Sequence, residues 1–178
     1  MKTPILRFSL VALLAAACGC GSTYRWRSSV PPDARTVAVP TFRNESEVSE
    51  LGAIAARQLL REFQREGTFS IRASGDAALE IQGVIKDSTV SISGFDRRSG
   101  MRTGAFSFAA TAIVSVIDKR TRKVLVDNRP YRAETTFSSG QDVSTARRDA
   151  SGRLMDDLAR QVVDDVLNIT WNEKAANP

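Results

Sequence analysis

The chain has 178 residues, a formal net charge of +5 and no histidine. Histidine is the commonest general base and the commonest metal ligand in proteins, so its absence argues against an enzyme and against a metal or cofactor site. The excess of positive charge is too small to indicate a nucleic-acid partner, and the length suits one domain with its own hydrophobic core.

The N-terminus has the composition of a secretory signal peptide. Lys2 and Arg7 carry positive charge, and residues 8–17 form an apolar run that is too short to cross a bilayer as a helix. Small residues then lead to Cys18 and Cys20, the two cysteines of the chain. Such a junction is typical of bacterial lipoproteins, in which fatty acids such as palmitate are attached to the cysteine. We expect a lipid anchor on one of these two cysteines; the alternative is a secreted protein with two free thiols.

The next segment changes from a strand pattern to a helix pattern. Residues 35–42 alternate as a strand does, and Pro40 is expected to lie at an edge or a bulge. A helix is predicted near 49–66, and Gly67 is a natural position for its end. The apolar residues that share one face of this helix are Leu51, Ile54, Ala55, Leu59 and Phe63.

The rest of the chain reads as several strands followed by a second helix. The predicted strands lie at 69–72, 78–93, 105–118 and 124–137. The last of them is expected to be interrupted at Pro130, and a glycine-rich connection at 94–104 carries three arginines. The final helix should begin near Asp142 or Ser144. Its predicted apolar face consists of Ala150, Leu154, Leu158, Val162, Val166 and Ile169.

These elements predict one fold class. Two amphipathic helices each need an apolar surface to cover, and a sheet supplies it. We therefore expect an α/β (α+β) fold, a two-layer sandwich with both helices on one face of a mixed, mainly antiparallel sheet of about four strands. The other face would then be free for a partner or ligand. The predicted organisation is a signal peptide at 1–17, a lipidated linker at 18–34, one domain at 35–170 and a flexible tail at 171–178.

A set of short motifs occurs in a fixed order along the chain. They are Gly19–Gly21, Val30–Pro32, Thr36–Asn44, Leu60–Gly67, Asp76–Gly83 and Arg148–Leu154. Together they resemble LptE, a family of lipopolysaccharide-assembly lipoproteins of the bacterial outer membrane. The chain departs from the family pattern at 22–24, where the family often has an aromatic residue directly after Cys-Gly.

The resemblance implies a non-enzymatic assembly role on the periplasmic side of the outer membrane. In this family the lipoprotein plugs a large β-barrel protein, LptD, and helps to deliver lipopolysaccharide to the outer leaflet. Basic residues bind lipopolysaccharide, and the matching positions here are Arg97 or Arg98 in the central connection and Arg148, with Arg147 beside it, in the last helix. Guanidinium groups suit lipid phosphates because they can form paired hydrogen bonds to them. Solvent-exposed loop charges without a ligand are the alternative for each arginine.

A second family is compatible with part of the chain. The first strand, Thr36–Asn44, is similar to the first strand of adaptor lipoproteins such as LpoB and the CsgG group. Those proteins activate a cell-wall synthase or build a secretion assembly. The two possibilities predict different partners, a large outer-membrane barrel in the first case and a synthase or further copies of the chain in the second.

Overall fold

Two helices pack on one face of a mixed sheet in the computed structural model of the protein, which describes residues 30–95, 104–139, 142–169 and 171. The strands are β1 (Thr36–Ala38), β2 (Arg43–Asn44), β3 (Ser70–Ile71), β4 (Leu79–Phe95), β5 (Gly104–Asp118) and β6 (Lys123–Ser139). The helices are α1 (Leu51–Glu66) and α2 (Val143–Leu167), and a short 3₁₀ turn at Pro32–Ala34 precedes β1. This architecture confirms the predicted α+β class.

The sheet has the order β3–β1–β4–β5–β6, and β2 also pairs with β4. The contacts made by β1, β2 and β3 are parallel, whereas the long strand β5 is antiparallel to both β4 and β6. The described residues thus form six strands, more than the four or so that we expected from the sequence. The difference arises because the short strand predicted at 69–72 joins the sheet as β3, and because the predicted first strand is divided into β1 and β2.

The division of the first strand is centred on Pro40. Ala38 pairs with Glu80 and Arg43 with Val84, so this part of the chain carries one residue more than the stretch of β4 opposite it. Proline cannot donate a backbone hydrogen bond, and a bulge is one of the few places where a sheet accepts it. The expectation of a bulge at Pro40 is therefore confirmed.

Pro130 does not interrupt β6, and that prediction was wrong. The strand continues through Pro130, which pairs with Ile113 in β5. The irregularity lies earlier, where the register shifts between the pairs Val114↔Arg129 and Val116↔Val126 and Asn128 has a φ of 43°. Because β6 is the last strand of the sheet, a proline on it can direct its missing N–H away from the ladder without losing a strand-to-strand hydrogen bond.

The core lies between the helices and one face of the sheet. The predicted apolar faces of both helices are buried there, except that Ile169 lies beyond the end of α2 and is half-buried. The apolar residues of β5 from Phe108 to Val116 that share one face are buried with them, as alternation along a strand requires. Side chains that are fully buried include Leu51, Leu59, Phe63, Leu79, Ile81, Ile85, Phe108, Leu154, Met155 and Leu158. Phe63 also meets Phe69 edge to face, with 5.2 Å between ring centroids.

Phe42 is clamped between the sheet and α1 by two glycines. A Cβ atom on Gly83 of β4 would lie 2.1 Å from the Phe42 ring, and a Cβ atom on Gly52 of α1 would lie 2.3 Å from the Phe42 carbonyl oxygen. Neither distance is tolerable for a real side chain. The two glycines therefore allow the β1–β2 bulge to insert an aromatic ring into the core.

Residues 30–35 enter the domain beside the turn between β5 and β6. Val30 and Ala34 are buried, and the Arg35 guanidinium donates to the Val30 carbonyl at 3.1 and 3.2 Å. Arg120, in the β5–β6 turn, forms ion pairs with Asp33 and with the buried Asp118. The chain thus enters at one end of β4, and the far end of that strand is about 50 Å away at the usual rise per residue.

Candidate functional site

The far end of the sheet is covered by fewer elements than the end where the chain enters. The loop before α1 is held at the level of Ile85, whose carbonyl accepts a hydrogen bond from the Glu45 N–H at 2.9 Å. From there α1 runs toward β3, over the early part of β4. The later part of β4, after Asp87, therefore extends past α1. We call this later part of β4, together with its β5 and β6 partners and the start of α2, the open end.

Apolar side chains are exposed on the helix side of the open end. A register shift between Ile85 and Asp87 turns Val90 and Ile92 toward the face on which the helices pack, opposite Phe108 and Phe106 respectively. Val90 is 40% exposed and Ile92 58% exposed. Ile92 thus extends an apolar row in which Phe106 stacks on Phe137, with 5.2 Å between centroids and 16° between planes.

The sequence contains a signal for this shift that our prediction did not use. Buried residues of β4 have odd numbers up to Ile85, whereas the later apolar residues, Val90 and Ile92, have even numbers. A strand keeps its core face at a period of two, so a change of parity indicates an inserted residue.

Helix α2 begins at the open end, and Asp142 fixes its first turn. The Asp142 carboxylate accepts hydrogen bonds from the N–H groups of Ser144 at 2.9 Å and Thr145 at 3.4 Å, and from both of their hydroxyl groups. The pKa of Asp142 is lowered to about 2, mainly because the Thr145 and Ser144 hydroxyl groups donate hydrogen bonds to the carboxylate. A strong cap of this kind positions the side chains of the first two helical turns.

Arg147 and Arg148, two of the residues singled out from the sequence, lie together on these first turns. Both are exposed and line a groove of about 260 Å³ between α2 and the loop before α1. Neither forms an ion pair with any described residue. The other residues that line the groove are Glu47, Val48, Ser49, Glu50, Ser144 and Ser151.

One hydrogen bond between the two helices and one within α2 lie beside the groove. Gln58 of α1 donates to the Gly152 carbonyl of α2 at 3.0 Å, and the Ser151 hydroxyl donates to the Arg147 carbonyl at 2.9 Å. On the opposite side of α2 a second groove of about 420 Å³ separates the helix from β5 and β6. It is lined by Ala105, Thr136, Phe137, Ser138, Ala146, Asp149 and Arg153.

The remaining residues singled out from the sequence, Cys18, Cys20, Arg97 and Arg98, lie outside the described residues. The backbone pairs that flank the arginines are described: Phe95 pairs with Gly104, and Gly104 pairs with Ser139, just before α2. The connection that carries Arg97 and Arg98 therefore leaves the sheet at the same end as Arg147 and Arg148.

Three carboxylates of α2 form ion pairs with arginines. On α2, Asp156 and Asp157 both accept from Arg160, at 2.8 and 2.6 Å, and Asp165 pairs with Arg129 at 3.2 Å. No group of three or more potential metal ligands occurs among residues 30–95, 104–139 and 142–169. Within that same part, neither helix is apolar enough to span a membrane.

Arg147 and Arg148 are exposed and form no ion pair within the described structure, and they lie at the same end of the sheet as the exposed apolar side chains. Together these features suit a ligand that is both anionic and lipid-like. The family comparison agrees with this chemistry, since the model of the lipopolysaccharide-assembly family LptE matches residues 34–166. The chain belongs to the LptE family. This is an assembly family rather than an enzyme family. The match covers all the strands and both helices except Leu167, the last residue of α2.

Solved structures with the same fold are distant in sequence. The hypothetical protein CT253 from Chlamydia trachomatis is 15% identical, with a TM-score of 0.50 over 76% of this chain and 96% of that one. A putative neuraminyllactose-binding hemagglutinin homologue from Helicobacter pylori is 8% identical, with a TM-score of 0.52 over 82% and 90%. At these identities the likeness concerns the fold alone. No curated protein matches the chain in sequence.

Proposed function

We propose that the protein is an outer-membrane lipoprotein that associates with an LptD-type β-barrel and helps to pass lipopolysaccharide to the outer leaflet. The observation that carries this proposal is the family match across the whole domain. An acyl anchor on Cys18 or Cys20 would hold the domain at the periplasmic side of the membrane. Two acyl chains are needed for stable anchoring, because one alone binds a bilayer only marginally.

The open end is the part of the domain that we assign to lipopolysaccharide. Arg147 and Arg148 present two guanidinium groups without ion-pair partners in the described structure, and lipid phosphates are strong acceptors for such groups. Arg97 and Arg98 belong to the connection at the same end of the sheet. Val90 and Ile92 add exposed apolar surface at the same end of the sheet, which suits the acyl part of an amphiphile.

Charge reversal tests the assignment. The double variant Arg147→Glu, Arg148→Glu should weaken binding to purified lipopolysaccharide, and the binding of the unaltered protein should fall as salt is added, because the contact is electrostatic. The matched control is Arg57→Glu, Arg72→Glu, which changes the net charge equally at two exposed positions away from the groove. Circular dichroism checks that both variants fold.

Two results would contradict the assignment. Equal loss of binding in the groove variant and in the control would mean that only net charge matters. Unchanged binding in the groove variant would move the site elsewhere. If the barrel partner were absent from pull-downs and a cell-wall synthase present, the adaptor function of the LpoB and CsgG type would replace the proposal.

A further inference from the structure

Strand β6 is the last strand of the sheet, and no described residue pairs with its outer side. It is also one of the two longest strands, Lys123–Ser139. The unpaired backbone groups of such an edge are a template for strand addition by another chain, and proteins usually protect them.

The first half of the β6 edge is protected by its own sequence. Asn128, at a φ of 43°, lies where the strand is irregular, and Pro130 offers no N–H group. Arg129 is held by the ion pair with Asp165 at 3.2 Å and lies 5.8 Å from the centroid of the Tyr131 ring. A second strand could not follow this half in regular register.

The second half of the edge, residues 131–138, pairs with β5 without any register shift. It therefore has no irregularity or proline of its own that would keep a second strand from pairing. Two side chains of α2 reach it instead. Arg153 Nη2 donates to the Thr136 carbonyl at 3.4 Å, and Gln161 Nε2 donates to the Arg132 carbonyl at 3.2 Å. In an antiparallel ladder the backbone groups of successive residues point alternately to the two sides of a strand. Arg132, Glu134 and Thr136 therefore all direct their backbone groups to the open side.

We propose that Arg153 and Gln161 close this edge, and that the occupant they exclude is β6 of a second copy of the chain. The residues of β6 favour this occupant. In an antiparallel pair centred on Ala133, Arg132 of one copy lies opposite Glu134 of the other, twice by symmetry. Arg132 and Glu134 each direct a backbone N–H and a carbonyl to the outer side of β6. The register that pairs their opposite side-chain charges therefore also pairs their backbone groups. The inference does not depend on the proposed function.

The test removes both donors. The full chain with Arg153→Ala and Gln161→Ala, purified in detergent, should shift from monomer to dimer, a doubling of the protein mass measured by light scattering coupled to size exclusion. Alanine favours helix, so α2 should persist. The matched control is Arg160→Ala with Gln64→Ala, which removes the same residue types from helix positions that do not contact β6 and should remain monomeric.

A third variant identifies the surface. Adding Arg132→Glu to the double variant places like charges opposite one another in the proposed register and should restore the monomer. Amide exchange should slow at Glu134 and Thr136 in the dimer only. A folded double variant that stays monomeric overturns the proposal, as does a dimer that Arg132→Glu leaves intact. If the double variant fails to fold, the single variant Gln161→Ala is measured over a range of protein concentrations instead. The absence of a dimer at every concentration would then overturn the proposal as well.

Discussion

The two ends of the β4–β5 hairpin are built for different purposes. At the end where the chain enters, α1, the β1–β2 bulge and the Arg120 ion pairs cover the sheet, and residues such as Leu79 and Ile81 are fully buried. At the open end the same strand exposes Val90 and Ile92. The comparison indicates that the covering elements leave apolar side chains of β4 exposed at the open end, where a ligand can reach them.

The largest expected effect comes from a charge at a fully buried position of the sheet. Phe108→Asp should unfold the domain, because it buries an uncompensated carboxylate, and a loss of more than about 4 kcal/mol is expected for such a change. Ile92→Asp should have little effect, since Ile92 is 58% exposed on the same face. Urea denaturation followed by circular dichroism measures both. Comparable losses in the two variants would mean that Ile92 also belongs to the stabilising core.

A smaller effect is expected from the glycines that hold Phe42. Gly83→Ala would drive a methyl group into the Phe42 ring and should cost about 1–3 kcal/mol, as overpacking does. The control at the open end is Gly94→Ala, where the nearest atom to an added Cβ is 4.0 Å away. The difference in urea midpoint between the two variants is the measurement. A Gly83→Ala protein as stable as the control would show that Phe42 can move aside without loss.

The smallest effect concerns acid and the first turn of α2. The hydroxyl groups of Thr145 and Ser144 lower the pKa of Asp142 to about 2, below its ordinary value of 3.8. A lowered pKa in the folded state means that the carboxylate stabilises the protein fully above about pH 4 and that this contribution is lost as the pH falls toward 2. Asp142→Asn should therefore remove part of the acid dependence of stability at the open end. An NMR titration that gives Asp142 an ordinary pKa would contradict the cap.

Local sequence signals predicted the elements well. Gly67 ends α1 in a left-handed conformation with a φ of 82°, and Asp142 caps α2, as residue types at helix ends lead one to expect. The apolar alternation of β5 gave its core face, because a strand's two faces follow from residue parity alone.

Features that depend on position in the sheet could not be predicted in the same way. The behaviour of Pro130 was misjudged because a sequence does not say which strand will lie at an edge. The contact between Arg153 and Thr136 joins α2 to β6 and requires the three-dimensional fold. Arg147 and Arg148 were singled out only through the family resemblance, since two arginines on a helix are more often solvated charges, and the groove that they line was not predicted.

Isolation of the barrel partner tests the central claim most directly. The tagged full chain is expressed in its native membrane, the outer membrane is solubilised in mild detergent, and the proteins retained with the chain are identified by mass spectrometry. Retention of one large outer-membrane β-barrel in a stoichiometric amount is the predicted result. A chain recovered without acylation and with no barrel partner would contradict the account.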